Sequence, residues 1–158
     1  MKKKIVIYWA APLFTQAERI WNRLCAEYLS ERGFEVLLPQ DRARNFGKDG
    51  GGMDFDGLAR DCLTCACTSD VMVAILDGSD TDSGVGVEYG GRVATQMIAG
   101  AKKFTIGVRT DFRKAEDGNL NAMFRPLDCL IYFPSTAEDW QALCQRILVL
   151  IENEYRKD

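Results

Sequence analysis

The fold of this chain is most constrained by residues 71–76, a run of six apolar side chains that leads directly into a loop rich in Gly, Asp and Ser. Such a run, with several β-branched members, predicts a strand buried on both faces. After the loop, residues 87–99 have the apolar spacing of a helix. Because open α/β sheets bind ligands just beyond the carboxyl ends of their strands, the loop at residues 77–86 is where we expect a site.

Strands and helices alternate along the rest of the chain. Apolar runs predict four further strands, at residues 5–9, 34–38, 104–108 and 129–132. Helical spacing of apolar side chains predicts helices at residues 17–29, 55–69 and 140–151, the last opened by a capping-box pattern at Ser135 and Glu138. This alternation predicts an α/β fold with a five-stranded, mostly parallel sheet that is covered by helices on both faces. We expect one domain, residues 1–158.

Residues 40–55 are polar and rich in glycine, and they match neither a helix nor a strand pattern. A structureless connection of this length is unusual in a compact domain, so a mobile functional loop is one interpretation. A disordered surface insertion is the other. The sequence favours neither of them.

Composition excludes several classes of protein. The chain is 47% hydrophobic and 27% charged, which is typical of a soluble globular domain. Its net charge of −3 gives no support for nucleic-acid binding through phosphates. No apolar run reaches membrane-spanning length, and the lysines at positions 2–4 lead into a strand rather than a signal-peptide core. We therefore expect a cytoplasmic protein with no nucleic-acid or membrane partner.

The chain has six cysteines and no histidine. In this context the cysteines are expected to be reduced thiols rather than a disulfide framework. Cys62, Cys65 and Cys67 are close enough to suggest a metal site, but they fall in a predicted helix, where thiols pack well, and lack a matching second pair. The absence of histidine excludes Ser-His and Cys-His nucleophile pairs, so acid–base chemistry is left to carboxylates, Lys, Tyr or Cys.

The acidic, glycine-rich loop is compatible with three kinds of site. A dinucleotide site is suggested by Gly84 and Gly86, but the third glycine, Gly90, comes one residue late, and Glu88 would repel a pyrophosphate. A calcium loop is suggested by Asp77 and Glu88, which begin and end a twelve-residue span, but the sixth position is not glycine and a strand precedes the loop. Both interpretations are weak.

The third kind of site is carboxylate catalysis on a glycosidic bond. One carboxylate attacks the anomeric carbon, and a second carboxyl handles the proton of the leaving group. Glu88, at the predicted helix start, would be held in place and kept ionised by the helix dipole. Asp82 would be the proton donor or an acceptor for a sugar hydroxyl. From the residues alone, simple helix capping by Asp82 and Glu88 is about equally well supported.

A resemblance favours the catalytic interpretation. Residues 75–90, with Asp77, Asp82 and Glu88 among them, resemble the core motif of the nucleoside 2-deoxyribosyltransferase family. Residues 7–14 are similar to that family's first strand and turn. Residues 107–113 and 119–123 resemble its fourth strand with the following loop and its Asn-x-Met segment. These motifs follow the family's order and cover most of the chain.

The resemblance implies a flavodoxin-like three-layer fold and transfer of 2-deoxyribose from a deoxyribonucleoside to a free nucleobase, with no metal or organic cofactor. It implies that Glu88 is the nucleophile, that Asp82 contacts the base and supports proton transfer, and that Tyr8 positions Glu88. Phe14 corresponds to a wall of the pocket. The remaining core-motif residues expected to bind substrate are Asp77, Gly84 and Gly86.

The resemblance also implies an assembly. Asn121 corresponds to a residue that a neighbouring subunit lends to the sugar 5′-hydroxyl, with Met123 beside it. Sites shared in this way imply a homo-oligomer built from dimers, such as a hexamer.

This sequence departs from the family's pattern in two places. The family often has an Asp where this chain has Cys62. Asp61 is adjacent, so a shifted alignment would make it the substrate-binding carboxylate. A base-contacting Gln corresponds to Gln40 or is absent, and both departures leave the base specificity open.

Two other functions remain open from the sequence. One is an N-glycosidase of the same superfamily, which hydrolyses deoxynucleoside 5′-monophosphates and shares the Gly-x-Gly-x-Glu motif. Such an enzyme needs cationic and hydroxyl groups near the first turn to bind the phosphate. Residues 10–15 offer little to a dianion, which favours a nucleoside substrate. A non-catalytic nucleotide-binding protein is the alternative from another class, and the presence of both Asp82 and Glu88 argues against it.

Overall fold

The structure, a computed structural model, describes residues 4–48, 51–100, 103–113, 120–133 and 139–155. Within these ranges the strands are β1 (Val6–Ala10), β2 (Glu35–Leu37), β3 (Val71–Ile75), β4 (Phe104–Arg109) and β5 (Cys129–Tyr132). The helices are α1 (Gln16–Ser30), α2 (Pro39–Arg42), α3 (Phe55–Thr68), α4 (Ser83–Ala99) and α5 (Trp140–Tyr155). Short 3₁₀ turns lie at Ala43–Phe46 and Ala122–Phe124. No helix in the described ranges is both long enough and apolar enough to cross a membrane.

The strands form one sheet in the order β2-β1-β3-β4-β5, and each neighbouring pair is parallel. This is the strand order of flavodoxin-like doubly wound sheets, so the predicted fold class is confirmed. The order reverses between β1 and β3, where Ile7 lies opposite Val71. Ligands of such sheets bind beyond the carboxyl ends of the strands at this switch point, which here means the residues that follow Ala10 and Ile75.

Side chains alternate between the two faces of the sheet. Ile7 and Trp9 of β1 pack in the core beneath α1 and α5. Tyr8 and Ala10 pack in the second core, together with buried side chains of α3 and α4. Because successive residues of a strand point to opposite faces, the alternation of β1 places the Tyr8 side chain beneath the α3–α4 layer.

Residues 40–55 contain more structure than the sequence predicted. Pro39, whose fixed φ suits the first turn of a helix, begins α2, and Gly47 pairs with Met53 in an antiparallel bridge. Arg42 at the end of α2 forms an ion pair with Asp61 of α3. Long-range ion pairs leave no apolar periodicity in the sequence, which is why the pattern suggested an unstructured connection.

Helix α4 begins at Ser83, four residues before the predicted start. Asp82 is its N-cap, and the Asp82 Oδ1 accepts a hydrogen bond from the Val85 amide at 3.0 Å. Glycines disfavour a helix by roughly 1 kcal/mol each, so Gly84 and Gly86 predicted a loop. Burial of one face of α4 in the core overrides that preference.

The other elements lie close to their predicted bounds, and α5 is present at Trp140–Tyr155. The capping-box pattern at Ser135 and Glu138 lies outside the described residues. All six cysteines are free thiols in the structure.

Candidate active site

Glu88 and Tyr8 meet at the switch point of the sheet. The Tyr8 hydroxyl donates a hydrogen bond to the Glu88 Oε1 at 2.7 Å, across 80 positions of sequence. Tyr8 is fully buried on β1, and Glu88 projects from the second turn of α4. The fold thus brings the predicted nucleophile and the predicted positioning residue into direct contact.

Burial raises the pKa of Glu88 from its ordinary value of 4.5 to about 7. The hydrogen bond from Tyr8 opposes this rise, and the nearby Asp82 carboxylate adds to it. The expectation that the helix dipole keeps Glu88 ionised is therefore wrong. The dipole acts most strongly in the first turn of a helix, and Glu88 lies in the second turn of α4. A carboxyl group that titrates near neutral pH is typical of functional sites.

Tyr8 is a permanent donor to Glu88 in the neutral pH range. Burial, together with the charge of Glu88, raises the pKa of the Tyr8 phenol above its ordinary value of 10.0. A phenol that keeps its proton stabilises the carboxylate form of Glu88 and fixes its orientation.

A cavity of about 490 Å³ opens beside Glu88 between α3 and α4. Helix α3 contributes Phe55, Leu58, Ala59, Cys62 and Leu63 to its wall, and α4 contributes Ser83, Gly84, Val87 and Glu88. Its volume falls in the range of small-molecule sites, which are mostly apolar with a few placed polar groups. Glu88 is the charged member of this wall, so a bound molecule would meet one carboxylate in apolar surroundings.

Hydrogen bonds from side chains of β1 and α1 hold the turn that follows β1. The Trp9 indole donates to the Asn22 Oδ1 at 3.1 Å, and the Asn22 amide donates to the Pro12 carbonyl at 2.9 Å. Phe14 stands 73% exposed at the end of this turn and does not line the cavity beside Glu88. Arg19 donates to the Phe14 carbonyl at 3.1 Å, so the turn is held in a defined shape.

Asp77 joins the loops that follow β3 and β4. Its carboxylate accepts a hydrogen bond from the Thr110 amide at 2.6 Å, while Asp111 in return accepts one from the Gly78 amide at 2.8 Å. Buried Arg109 donates to the Gly78 carbonyl at 2.8 Å. Gly78 has a φ of +104°, which L side chains rarely adopt. In this arrangement Asp77, predicted as a substrate-binding residue, supports the loop that leads to Asp82.

Asp61 points away from the cavity. Its carboxylate pairs with the Arg42 guanidinium at 2.5 Å, and the neighbouring residue, Cys62, lines the cavity instead. Gln40 is likewise elsewhere, since its amide donates to the Arg19 carbonyl at 3.0 Å. The structure therefore does not bring Asp61 or Gln40 to Glu88.

The Asn121 segment packs against the first turns of α4. The Asn121 side-chain oxygen accepts from the Met123 amide at 2.9 Å, and Met123 is exposed. The Phe124 ring lies 5.1 Å from the Tyr89 ring, centroid to centroid. An added Cβ on Gly86 would lie 3.7 Å from the Phe124 ring, so Gly86 permits this close packing. Asn119, at the start of the predicted segment, lies outside the described residues.

Several cavity residues, Phe55 among them, were missed by sequence reasoning, which considered Cys62 only as a candidate metal ligand and as the position where the family often has an Asp. The available signal was the helical spacing of Phe55, Leu58 and Cys62, which puts them near one face of α3, but spacing alone does not distinguish a cavity wall from core.

Among the residues that the structure describes, no group of three His, Cys, Asp or Glu side chains could hold a metal ion.

Three solved structures support the fold. A protein from Enterococcus faecalis V583 is 20% identical, with a TM-score of 0.68, and the match covers 94% of this chain and 99% of that one. A 2-deoxyribosyltransferase from Bacillus psychrosaccharolyticus is 18% identical, with a TM-score of 0.61 and coverage of 87% and 89%. A CMP N-glycosidase from Clostridium botulinum is 17% identical, with a TM-score of 0.61 and coverage of 92% and 98%.

At these identities the three structures bear on the fold and not on the reaction. No curated protein matches the chain. The family model described as nucleoside 2-deoxyribosyltransferase matches residues 7–139, and that span contains Tyr8, Asp82 and Glu88. The chain therefore belongs to the nucleoside 2-deoxyribosyltransferase family.

Proposed function

We propose that this protein transfers 2-deoxyribose between nucleobases, with Glu88 as the covalent nucleophile. The observation that supports this most strongly is the buried Tyr8–Glu88 pair beside an apolar cavity. A carboxylate held by one donor and facing apolar walls has an open side from which it can attack a bound sugar. Family membership supports a nucleoside-processing reaction independently of this geometry.

The reaction proceeds in two displacements. The Glu88 carboxylate forms a bond to the anomeric carbon while the bond from that carbon to the base nitrogen breaks, and its electron pair stays on the base. The departing base takes up one proton, which Asp82 relays from solvent, and leaves as a neutral molecule. A second base then attacks the anomeric carbon, the ester bond to Glu88 breaks, and Asp82 relays to solvent the proton that the second base loses.

A 2-deoxy sugar suits this site. Without the electron-withdrawing 2-hydroxyl, the cationic transition state at the anomeric carbon is easier to reach. Ionised Glu88 stabilises that charge at short range, where apolar surroundings strengthen the attraction.

A nucleoside substrate is favoured over a nucleotide by the turn after β1. Arg19 lies at this turn, but its guanidinium donates to the Leu13 carbonyl at 2.9 Å and to the Phe14 carbonyl at 3.1 Å. A 5′-phosphate would have to compete with these contacts. The N-glycosidase reaction, hydrolysis of a deoxynucleoside 5′-monophosphate, is therefore the second candidate.

The proposed function is tested by incubating the protein with deoxyadenosine or thymidine and a different free base, then separating the products by chromatography. The expected result is a new deoxynucleoside that carries the second base. In parallel, deoxynucleoside 5′-monophosphates are supplied without an acceptor. Release of free base from the monophosphates, with no exchange on nucleosides, would replace the transferase assignment with the hydrolase.

Transfer activity is expected to rise with pH and to reach a plateau above about pH 7. Only ionised Glu88 can attack, and burial raises the pKa of Glu88 to about 7, so the carboxylate is protonated and inactive in acid. The measurement is kcat/KM as a function of pH in buffers of constant ionic strength. A rate that stays constant down to about pH 5 would mean that no group of raised pKa limits attack.

Helix α4 also supports the proposal of a homo-oligomer with shared sites. Its charged residues are Glu88, which faces the cavity, and Arg92, which is fully buried. The solvent-facing side carries uncharged side chains, and Met97 and Ile98 are 80% and 87% exposed. Val87 of the same helix is exposed and also lines the cavity. A second copy on this face would bury the apolar side chains and cover the cavity.

Replacing both Met97 and Ile98 with Glu is expected to dissociate the oligomer, because the substitutions place two charges in a face that has none. The measurement is molar mass by light scattering during size-exclusion chromatography. Ile20→Glu on α1 is the matched control, since Ile20 is also an exposed apolar residue. A double variant with the wild-type mass would mean that this face is not the interface.

Asn121 is expected to act in the site of a neighbouring subunit. An amide suits the sugar hydroxyl because it both donates and accepts without adding charge near Glu88. Inactive Glu88→Ala and Asn121→Ala subunits, mixed under conditions of partial dissociation, should recover some activity. No recovery in oligomers shown by mass spectrometry to be mixed would place Asn121 outside the neighbour's site.

A further inference from the structure

The loops that follow β3 and β4 are joined by a hydrogen-bond network that has no part in the proposed chemistry. Buried Arg109 donates to the Leu76 carbonyl and to the Gly78 carbonyl, each at 2.8 Å. Asp111 accepts a hydrogen bond from the Gly78 amide at 2.8 Å. We infer that Asp111 is a positioning residue: together with Arg109 it fixes the loop that leads to Asp82, so that Asp82 meets the departing base. The inference rests on the proposed function, in which Asp82 relays a proton.

The charges of Arg109 and Asp111 compensate each other inside the protein. Arg109 is 2% exposed, and its guanidinium lies 3.3 Å from the Asp111 Oδ1. Burial raises the pKa of Asp111, but the hydrogen bond from the Gly78 amide and the cations Arg113 and Arg109 outweigh it, so the pKa lies below the ordinary value of 3.8. Asp111 is therefore ionised at neutral pH, and an ionised acceptor binds the Gly78 amide more strongly than a neutral one.

The loop from Gly78 to Asp82 is short and tightly turned. Gly78 has a φ of +104°, and a Cβ added there would lie 2.6 Å from the Asp80 carbonyl oxygen. At the other end of the loop, Asp82 caps α4 by accepting from the Val85 amide at 3.0 Å. A loop released at Gly78 therefore shifts the residues that place Asp82.

The proton relay of Asp82 affects leaving groups unequally. A departing nucleobase takes up a proton, whereas 4-nitrophenol leaves readily as its anion. With a 4-nitrophenyl 2-deoxyriboside as donor, Glu88 forms the same bond to the anomeric carbon, and the electron pair of the broken bond stays on the phenolate oxygen without a proton. A residue that acts through Asp82 should thus matter for a nucleoside donor and not for the nitrophenyl donor, while a residue that merely supports the fold affects both alike.

The test measures kcat/KM for deoxyadenosine and for the nitrophenyl donor, with a free base as acceptor. For the donor, this ratio reports the first displacement. Asp111→Ala removes the acceptor of the Gly78 amide, and Asp111→Asn keeps an oxygen there but removes the charge. Asp80→Ala, at an exposed carboxylate of the same loop, is the matched control and should stay within about twofold of wild type. Asp82→Asn and the double variant with Asp111→Ala complete the set.

Asp111→Ala is expected to lower kcat/KM for deoxyadenosine by roughly ten- to a hundredfold, since a misplacement of about 1 Å costs on the order of 10²-fold. For the nitrophenyl donor it should stay within about threefold of wild type. The double variant should lie within about threefold of Asp82→Asn alone, because both residues act in one step. Equal losses on the two donors, losses that multiply in the double variant, or no loss would each overturn the inference.

Hydrogen exchange followed by mass spectrometry tests the loop without any substrate. Protection of the peptide that contains residues 77–82 should fall in Asp111→Ala and not in Asp80→Ala, and unchanged protection in Asp111→Ala would overturn the inference. If wild type shows no transfer, the proposed function fails, and the exchange measurement still decides whether Asp111 holds the loop. If Asp111→Ala does not fold, as judged by circular dichroism, the same comparisons are made with Asp111→Asn.

Discussion

Glu88→Gln is expected to lose nearly all transfer activity, by a factor of roughly 10³ or more, while keeping the native fold. The amide cannot form the ester to the sugar, so the first displacement has no nucleophile. Its side-chain oxygen still accepts the hydrogen bond from Tyr8, which keeps the local structure. Steady-state transfer by the purified variant, with circular dichroism as the fold control, is the measurement.

The same substitution is expected to stabilise the protein above neutral pH. Because folding raises the pKa of Glu88 to about 7, its contribution to stability is greatest below the ordinary value of 4.5 and is lost as the pH rises to about 7. At about 1.4 kcal/mol per pKa unit, the rise from 4.5 to about 7 corresponds to a loss on the order of 3–4 kcal/mol. Glu88→Gln avoids it, since the amide does not ionise.

Urea unfolding of wild type and variant at about pH 5 and about pH 8 measures this difference. The variant should gain stability over wild type between the two pH values. Glu27→Gln, at an exposed position of α1, is the matched control and should show little change. Transfer within tenfold of wild type by Glu88→Gln would contradict the role of Glu88 as nucleophile. A difference in unfolding free energy between variant and wild type that is the same at both pH values would contradict the raised pKa of Glu88.

Arg92→Met is expected to lower the free energy of unfolding by about 3–5 kcal/mol, because it removes a fully buried cation and leaves its acceptors unpaired. Arg92 lies at the edge of the sheet opposite Glu88. It donates to the carbonyls of Ala66 and Ser69 at 2.8 Å, Asp70 at 3.1 Å and Phe104 at 3.0 Å. One side chain thus ties the end of α3 to the starts of β3 and β4.

Chemical denaturation of Arg92→Met and of the exposed variant Arg60→Met separates burial from the loss of charge. Arg60→Met should change the unfolding free energy by less than about 0.5 kcal/mol. The folded fraction of Arg92→Met should keep the wild-type pH profile, since Arg92 does not contact Glu88. A loss below about 1 kcal/mol for Arg92→Met would mean that its hydrogen bonds contribute little.

The sheet could be predicted from the sequence because buried parallel strands read as continuous apolar runs. Residues 71–76 and 104–108 show such runs, and both contain a strand close to the predicted bounds. Glu88 and Tyr8 could be predicted as partners only through the resemblance, since nothing local links positions 80 apart in the chain.

The parts that could not be predicted depend on tertiary contacts. Gly84 and Gly86 disfavour a helix locally, and only packing of α4 on the sheet extends it to Ser83. The pairing of Asp61 with Arg42, which turns the carboxylate away from the cavity and leaves Cys62 in the wall, has no local signal. The raised pKa of Glu88 likewise comes from burial, which the sequence pattern at the loop does not show.

The central claim is that Glu88 carries the sugar during the reaction, and trapping that intermediate tests it most directly. A 2-deoxy-2-fluoro nucleoside is suitable, because the electron-withdrawing fluorine slows both displacements and allows the covalent species to accumulate. After acid quenching and proteolysis, mass spectrometry should find the sugar on the peptide that contains Glu88, and turnover of the natural substrate should retain the anomeric configuration. Sugar attached to a different residue, or a product of inverted configuration, would contradict the account.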